Sequence, residues 1–393
     1  MNTYRFSQRV QHVPNSGIGL MMKYASKYQD VISLGQGTPL FPTPSFIYEA
    51  VYEQAQRDPE VGMYSSPKLE KPLLRLIQKH MQQHQRFTPE LNQLYLTIGG
   101  VGGLFSAMMA FLEKGDEIIY FDPSYPIHLS EIYLTQATPV FVPYNEEKAW
   151  NIDLDLLKTR ITSKTKAILL TNPNNPTGTV LSEKEVRELS SIILEHNLIL
   201  ILDEAYDFLT YETPLFSPLQ IQELRPHIIA CKSFSKEFAM TGWRIGYVYA
   251  APEIIRKIID VHVYFSISPA TPSILAATAA LSDPRGEEAK AFFIQEFRKS
   301  RTAICERLDN LPNLFSYHKP QGAYYAFPKI IGSKLGAFEF AKELVDEAKV
   351  ITIPGDSMGP SGKNHLRLSF AAKPEVIHKA FDQIDAYAKK LGL

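Results

Sequence analysis

The stretch Ser233-Phe234-Ser235-Lys236-Glu237-Phe238-Ala239-Met240-Thr241-Gly242-Trp243-Arg244-Ile245-Gly246 decides how this chain is read. It follows the apolar run Ile228-Ile229-Ala230-Cys231, which reads as a buried strand. A lysine just past a buried strand is in most proteins a surface residue. Here its neighbours are Ser233, Ser235 and Arg244, all anion-binding groups. Two glycines in the following turn let backbone come close to something.

An amine beside an anion pocket suggests a Schiff base to a phosphorylated aldehyde, which is how pyridoxal phosphate is held. The stretch resembles the lysine motif of the class I/II aminotransferases, the fold-type I pyridoxal-phosphate enzymes. Their pattern is S-x-S-K, a short spacer, then G-x-R-x-G. The resemblance implies that Lys236 is the catalytic Schiff-base lysine and that Ser233, Ser235 and Arg244 hold the phosphate.

Working outward, other motifs appear in the family's order between about residue 30 and residue 390. Asp203 ends the apolar run 198–202, and a carboxylate at the C-terminal end of a buried strand is a site position in α/β sheets. Alone it reads equally as a helix N-cap. The resemblance makes Asp203 the partner of the pyridine nitrogen, keeping it protonated, and makes Tyr206 a donor to the phenolic oxygen. The segment Asn172-Pro173-Asn174-Asn175-Pro176-Thr177-Gly178 matches the family's N-P-x-N-P-T-G, with Asn175 on the phenolic oxygen and the substrate carboxylate. Gly99 to Gly103 form a glycine-rich strand-to-helix turn, a place for an anion, and Gly100 and Val101 are the expected phosphate donors. Tyr125 matches the aromatic stacked on the ring, where offset stacking adds about 0.5–1.5 kcal/mol. Tyr64 matches a tyrosine that reaches across a dimer interface to the partner's phosphate. Gly37, in a loop dense in glycine and proline, and Arg367, in His365-Leu366-Arg367-Leu368-Ser369-Phe370, match the groups that meet the substrate carboxylate.

The 393 residues are 45% hydrophobic, ample for a core and long enough for two domains. Formal charge is −1, with 41 basic and 42 acidic residues, so neither nucleic acid nor an anionic membrane is an expected partner. Two distant cysteines, Cys231 and Cys305, argue against a disulfide scaffold and for a reducing, cytoplasmic setting. No apolar run reaches the length of a bilayer span, residues 1–14 lack a signal-peptide pattern, and no metal site is expected.

Residues 1–44 read as irregular, around one apolar stretch from Ile18 to Met22. Then helices are expected at 45–57 and 68–85. Strands at 94–98, 117–121, 139–142, 166–171, 198–202, 228–231 and 247–250 alternate with helices, as in a parallel sheet. Helices follow at 253–263 and 272–281. A long helix at 287–308 carries Phe292, Phe293, Phe297, Ile304 and Leu308 at helical spacing. The expected fold class is α/β: a large cofactor domain, 45–285, with a mostly parallel seven-stranded sheet, and a smaller α+β domain built from 1–44 and 286–393.

The implied reaction moves an amino group between an α-amino acid and a 2-oxo acid through a Lys236 Schiff base, in a homodimer with shared sites. A carbon–sulfur β-lyase or a synthase of the same fold shares nearly every motif, and the need for a 2-oxo acid acceptor distinguishes them. A cofactor-binding transcription regulator would need a DNA-binding domain before the first core helix. A nicotinamide dehydrogenase would need a strand–G-x-G-x-x-G–helix unit, which the sequence lacks. The side chain of the amino donor stays open, with Phe41, Tyr125, Tyr264, Phe265 and Tyr324 as candidates for an aromatic or sulfur-binding pocket.

Overall fold

The computed structural model describes residues 4–14 and 16–393. Strand β1 (Ile32–Ser33) lies apart, and the next seven strands form one sheet. These are β2 (Leu94–Thr97), β3 (Glu117–Asp122), β4 (Thr138–Pro143), β5 (Thr165–Thr171), β6 (Ile199–Asp203), β7 (Ile228–Ser233) and β8 (Gly246–Tyr249). Their order is β2-β8-β7-β6-β5-β3-β4, and only β8 runs antiparallel to its neighbours. The strands are nearly continuous hydrophobic runs because both faces are covered. Ile118 and Tyr120 of β3, Ile201 of β6 and Val248 of β8 enter one apolar cluster. Ile119, Phe121, Leu200 and Leu202 enter the other.

Pairing of β5, β6 and β7 sets Thr171 opposite Asp203 and Asp203 opposite Cys231. The C-terminal ends of these strands therefore form one edge, where the site is built. On this edge the helix Gly99–Phe111 begins directly at the glycines expected to form a turn before it. Gly99 takes φ +65°, and a Cβ there would stand 2.8 Å from Arg244 Nη2. Gly246 is also obligatory: its Cβ would lie 2.5 Å from the Lys232 carbonyl oxygen.

The remaining strands are short: β9 (Phe315–Ser316), β10 (Tyr325–Ala326), β11 (Lys329–Ile330), β12 (Val350–Ile351), β13 (Ile353–Pro354) and β14 (Leu366–Ser369). They pair as β10-β14-β13, β11-β9 and β1-β12. The helix Arg285–Asp309 runs alongside, burying Phe293, Phe297, Ile304 and Leu308. Phe292, grouped with that face by spacing, is about half exposed.

Residues 1–44 are less irregular than expected. Gly17–Ala25 is a helix, capped by Ser16, whose hydroxyl accepts from Gly19 N at 3.2 Å. It buries Met21 and Ala25 and packs on β13 and the helix Ala337–Ala348. Packing outweighs the two glycines that lower its intrinsic propensity. Both cysteines are buried and free. Among the described residues no helix is long and apolar enough to cross a membrane.

Candidate active site

A cavity of about 440 Å³ opens at the C-terminal edge of the sheet. Twelve of the thirteen residues singled out in the sequence line it: Gly37, Gly100, Val101, Tyr125, Asn175, Asp203, Tyr206, Ser233, Ser235, Lys236, Arg244 and Arg367. The thirteenth, Tyr64, is 75% exposed and lies outside it.

Lys236 sits in the four-residue helix Phe234–Glu237 that β7 enters. Ser233 caps this helix, its hydroxyl accepting from Ser235 N at 3.1 Å. The Lys236 ammonium donates to the Gly37 carbonyl. Burial, and then the guanidinium groups of Arg367 and Arg244, lower its pKa to about 8. The amine is thus available near neutral pH.

The two arginines line the cavity with separate sets of partners. Arg244 takes φ +53° after the turn Thr241–Trp243 and donates to Thr241 O at 2.9 Å. Ser233, Ser235 and the start of the helix at Gly100 line the cavity with it. Arg367, on β14, is 1% exposed. It donates to Asn175 Oδ1 at 3.1 Å and to Gly35 O at 2.8 Å, while its buried Nε has no partner. Its guanidinium lies 4.6 Å from the centre of the Tyr325 ring.

Asp203 Oδ1 accepts from Ala205 N at 3.0 Å and Oδ2 lies 2.9 Å from His128 Nε2. His128 is fully buried and packs edge-on against Tyr125, with ring centroids 5.3 Å apart. Tyr206 shares a 2.8 Å hydrogen bond with Tyr325, and burial raises the Tyr206 pKa. Burial likewise pushes Tyr125 up to about 12, so both phenols stay protonated as donors.

Sequence reading missed His128 and Tyr325. His128 follows Tyr125 by three residues in a helix begun by Pro126, so it shares the tyrosine's side, and that spacing was the available signal. Tyr325 was passed over for Tyr324, whose hydroxyl donates to Gly37 O at 2.8 Å while its ring stacks on Phe297. The other aromatics proposed for the pocket do not line it. Phe41 stacks on Phe293 at 4.5 Å, Tyr264 is 91% exposed, and Phe265 packs edge-on against Phe105. Away from the cavity, His80, His84 and Glu287 lie close enough to share an ion. The Lys290 ammonium already supplies positive charge there, 2.8 Å from Glu287 and 3.2 Å from His84.

A depressed lysine, a carboxylate and two separated guanidinium groups in one cavity define an enzyme that handles amines on anionic partners. The chain belongs to the aminotransferase class I and II family, whose model matches residues 29–384. An aspartate aminotransferase of Pyrococcus abyssi is 33% identical over 392 residues, covering 98% of this chain and 99% of the relative. Aromatic-amino-acid aminotransferase 2 of Thermococcus litoralis is 30% identical, covering 98% and 99%. The solved alanine aminotransferase of Pyrococcus furiosus superposes with a TM-score of 0.91 at 29% identity, covering 98% of this chain and 100% of that one. The fold is that of the fold-type I aminotransferases, and the protein is a transaminase.

Proposed function

We propose that pyridoxal phosphate occupies this cavity and that Lys236 is the residue that binds it and moves the proton of the reaction. The observation that carries this is the Lys236 amine in one cavity with Asp203, Arg244 and Arg367, where burial and the two guanidinium groups lower its pKa to about 8. The donor set fits the cofactor. Arg244, Ser233, Ser235 and the backbone of Gly100 and Val101 would hold the phosphate, in a space that a side chain at Gly99 would fill. Tyr125 would cover the ring, Asp203 would face the ring nitrogen, and Asn175 and Tyr206 would meet the phenolic oxygen.

When bound, the cofactor supplies an aldehyde that takes up the amino group and a cationic ring that stores an electron pair. The protein supplies the rest. Arg367, held by Asn175 and Gly35, offers its guanidinium to the α-carboxylate, and its unpaired Nε leaves capacity for another bond. Lys236 Nζ takes the proton from the α-carbon and returns it at the acceptor carbon. The carboxylate of Asp203, held by Ala205 N and 2.9 Å from the His128 imidazole, would face the ring nitrogen. The phenols of Tyr206 and Tyr325 hold the site's inner wall.

Two further readings accompany this one. Residues 45–285 form the cofactor domain, and 1–44 with 286–393 form the small domain. Pairing of β1 with β12 and packing of Gly17–Ala25 on Ala337–Ala348 support that division. The enzyme acts as a cytoplasmic homodimer, a setting supported by its two free buried thiols. Tyr48, Met63, Tyr64, Tyr264, Phe265 and Ile267 are exposed apolar groups. Two of them lie beside the turn that carries Arg244: Tyr48 packs on Trp243, and Met63 O accepts from Thr271 on the helix whose Ser273 donates to Trp243 O. A patch of this kind marks an interface, and from it Tyr64 would reach the partner's phosphate site.

The test is Lys236→Ala with an amino acid and a 2-oxo acid together. Transamination is expected to fall by at least about four orders of magnitude, while Arg367→Ala weakens the amino acid and leaves cofactor affinity near the parent value. Lys236→Ala enzyme retaining its rate would refute the assignment.

A further inference from the structure

The turn that offers Gly100 and Val101 to the cavity leans on a residue outside the cavity wall. We propose that His262 is a positioning residue, fixing the turn Ile98–Val101 so that its backbone amides converge on the cofactor's phosphate. The inference rests on the phosphate site assigned above.

The helix Gly99–Phe111 begins with little local support. Its N-cap is Ile98, whose side chain carries no acceptor, and Gly99, Gly100 and Val101 follow. None of them can bond back to the N-cap amide, as a glutamate at the third helical position does. The leading amides are left for an anion, but the turn that presents them must be held from outside. Thr97 holds one side, its hydroxyl donating to Gly99 O at 2.9 Å. His262 holds the other. It lies 164 residues further along the chain, and its Nε2 accepts from Ile98 N at 3.2 Å.

The imidazole is set up for that single task. His262 is fully buried on the helix Pro252–Ser266. Its Nδ1 stands 3.2 Å from the Tyr95 hydroxyl. Because Nε2 accepts from an amide, the ring proton belongs on Nδ1, where it is donated to Tyr95. Burial lowers the pKa of His262 to about 4, so the ring is neutral near pH 7 and keeps the lone pair that Ile98 uses. Tyr95 and Phe265 meet the ring edge-on, with centroids 5.2 Å and 4.8 Å away. Phe265 packs in turn on Phe105 of the helix being held.

Removing the acceptor leaves the Ile98 amide unpaired, and the peptide before it must rotate to find another partner. The turn has no room to absorb that rotation. Gly99 holds φ +65° against Arg244, and a Cβ on Gly246 would lie 2.7 Å from Gly99 C and 2.8 Å from Gly100 N. The amides of Gly100 and Val101 would therefore shift with it. A histidine that only filled space would weaken the cofactor with and without its phosphate alike, and this difference separates the two roles.

The experiment titrates the full chain with pyridoxal 5'-phosphate and with pyridoxal, which lacks the phosphate, following the cofactor's absorbance. His262→Asn retains a polar group on the Tyr95 side but cannot reach Ile98. It is expected to weaken pyridoxal phosphate by at least about fivefold and to leave pyridoxal within about twofold of the parent. His262→Gln places a carbonyl oxygen where Nε2 stands and is expected to restore most of the loss. Unchanged phosphate-dependent affinity in His262→Asn, equal losses for both ligands, or a His262→Gln as weak as His262→Asn overturns the proposal. A parent that holds pyridoxal as tightly as pyridoxal phosphate removes the phosphate site itself, and the proposal falls with it. The parent also decides without any variant folding: proton–nitrogen correlation NMR at neutral pH is expected to show His262 neutral with its proton on Nδ1. A proton on Nε2 overturns the proposal.

Discussion

Glu131 shows how residue-level physics reaches beyond the motifs. It lies in the helix Pro126–Thr135 with His128, is 4% exposed, and neither carboxyl oxygen has a hydrogen-bond partner. Burial, and then the charge of Asp203, hold its pKa well above the ordinary 4.5. Because the folded value exceeds the unfolded one, the group favours folding below about pH 4.5 and loses that contribution as pH rises. Glu131→Gln is therefore expected to raise the melting temperature at pH 8 and to show a shrinking advantage toward pH 4.5, read by scanning fluorimetry. A variant less stable than the parent at pH 8 would show that Glu131 is ionised and paired. At this scale the sequence was legible where chemistry is consecutive, as in Ser233-Phe234-Ser235-Lys236. It was not legible for Tyr325 and Glu131, whose roles come from neighbours distant in the chain.

At the scale of elements, strand alternation explains why Lys232 turns away from the cavity that its neighbour Ser233 faces. Asp203 and Ser233 face the cavity. Glu204, just past β6, and Lys232, one residue before Ser233 on β7, turn to the other side, where the Lys232 ammonium pairs with both Glu204 and Asp207. Lys232 and Glu204 are almost fully buried, so Lys232→Met leaves a desolvated carboxylate. The expected cost is about 3–5 kcal/mol, measured by urea denaturation, with much of it recovered in Lys232→Met/Glu204→Leu. A single variant of parental stability would contradict this. Hydrophobic periodicity located the seven strands and most helices to within a few residues, because their faces are buried on both sides. The helix Gly17–Ala25 escaped because glycine-rich sequence hides a face that only tertiary packing stabilises. Of the short strands, those near 323–327, 350–353 and 365–370 were also legible, whereas the two-residue strands β1, β9 and β11 carry too few residues for any period to show.

For the whole molecule, the site is an assembly of strand ends and of loops that the sheet brings to one edge. Gly37, Asn175, Asp203, Lys236 and Arg367 are spread over more than 300 residues yet meet in one cavity. The motif order made that convergence legible; the pocket walls were not, since Phe41 and Tyr264 point elsewhere. The proposed dimer predicts a particle of twice the chain mass in sedimentation, and Tyr264→Glu with Phe265→Glu is expected to yield monomers that hold cofactor at least about tenfold more weakly. A parent protein that sediments as a monomer with full activity would remove the shared-site reading. The most direct measurement of the central claim traps the bound cofactor. Purified protein loaded with pyridoxal phosphate is reduced with borohydride, digested and mapped by mass spectrometry, with the rate of cofactor capture followed against pH. The account predicts a single label on Lys236 and a capture rate that rises through about pH 8. A label on another lysine, or none, would contradict it.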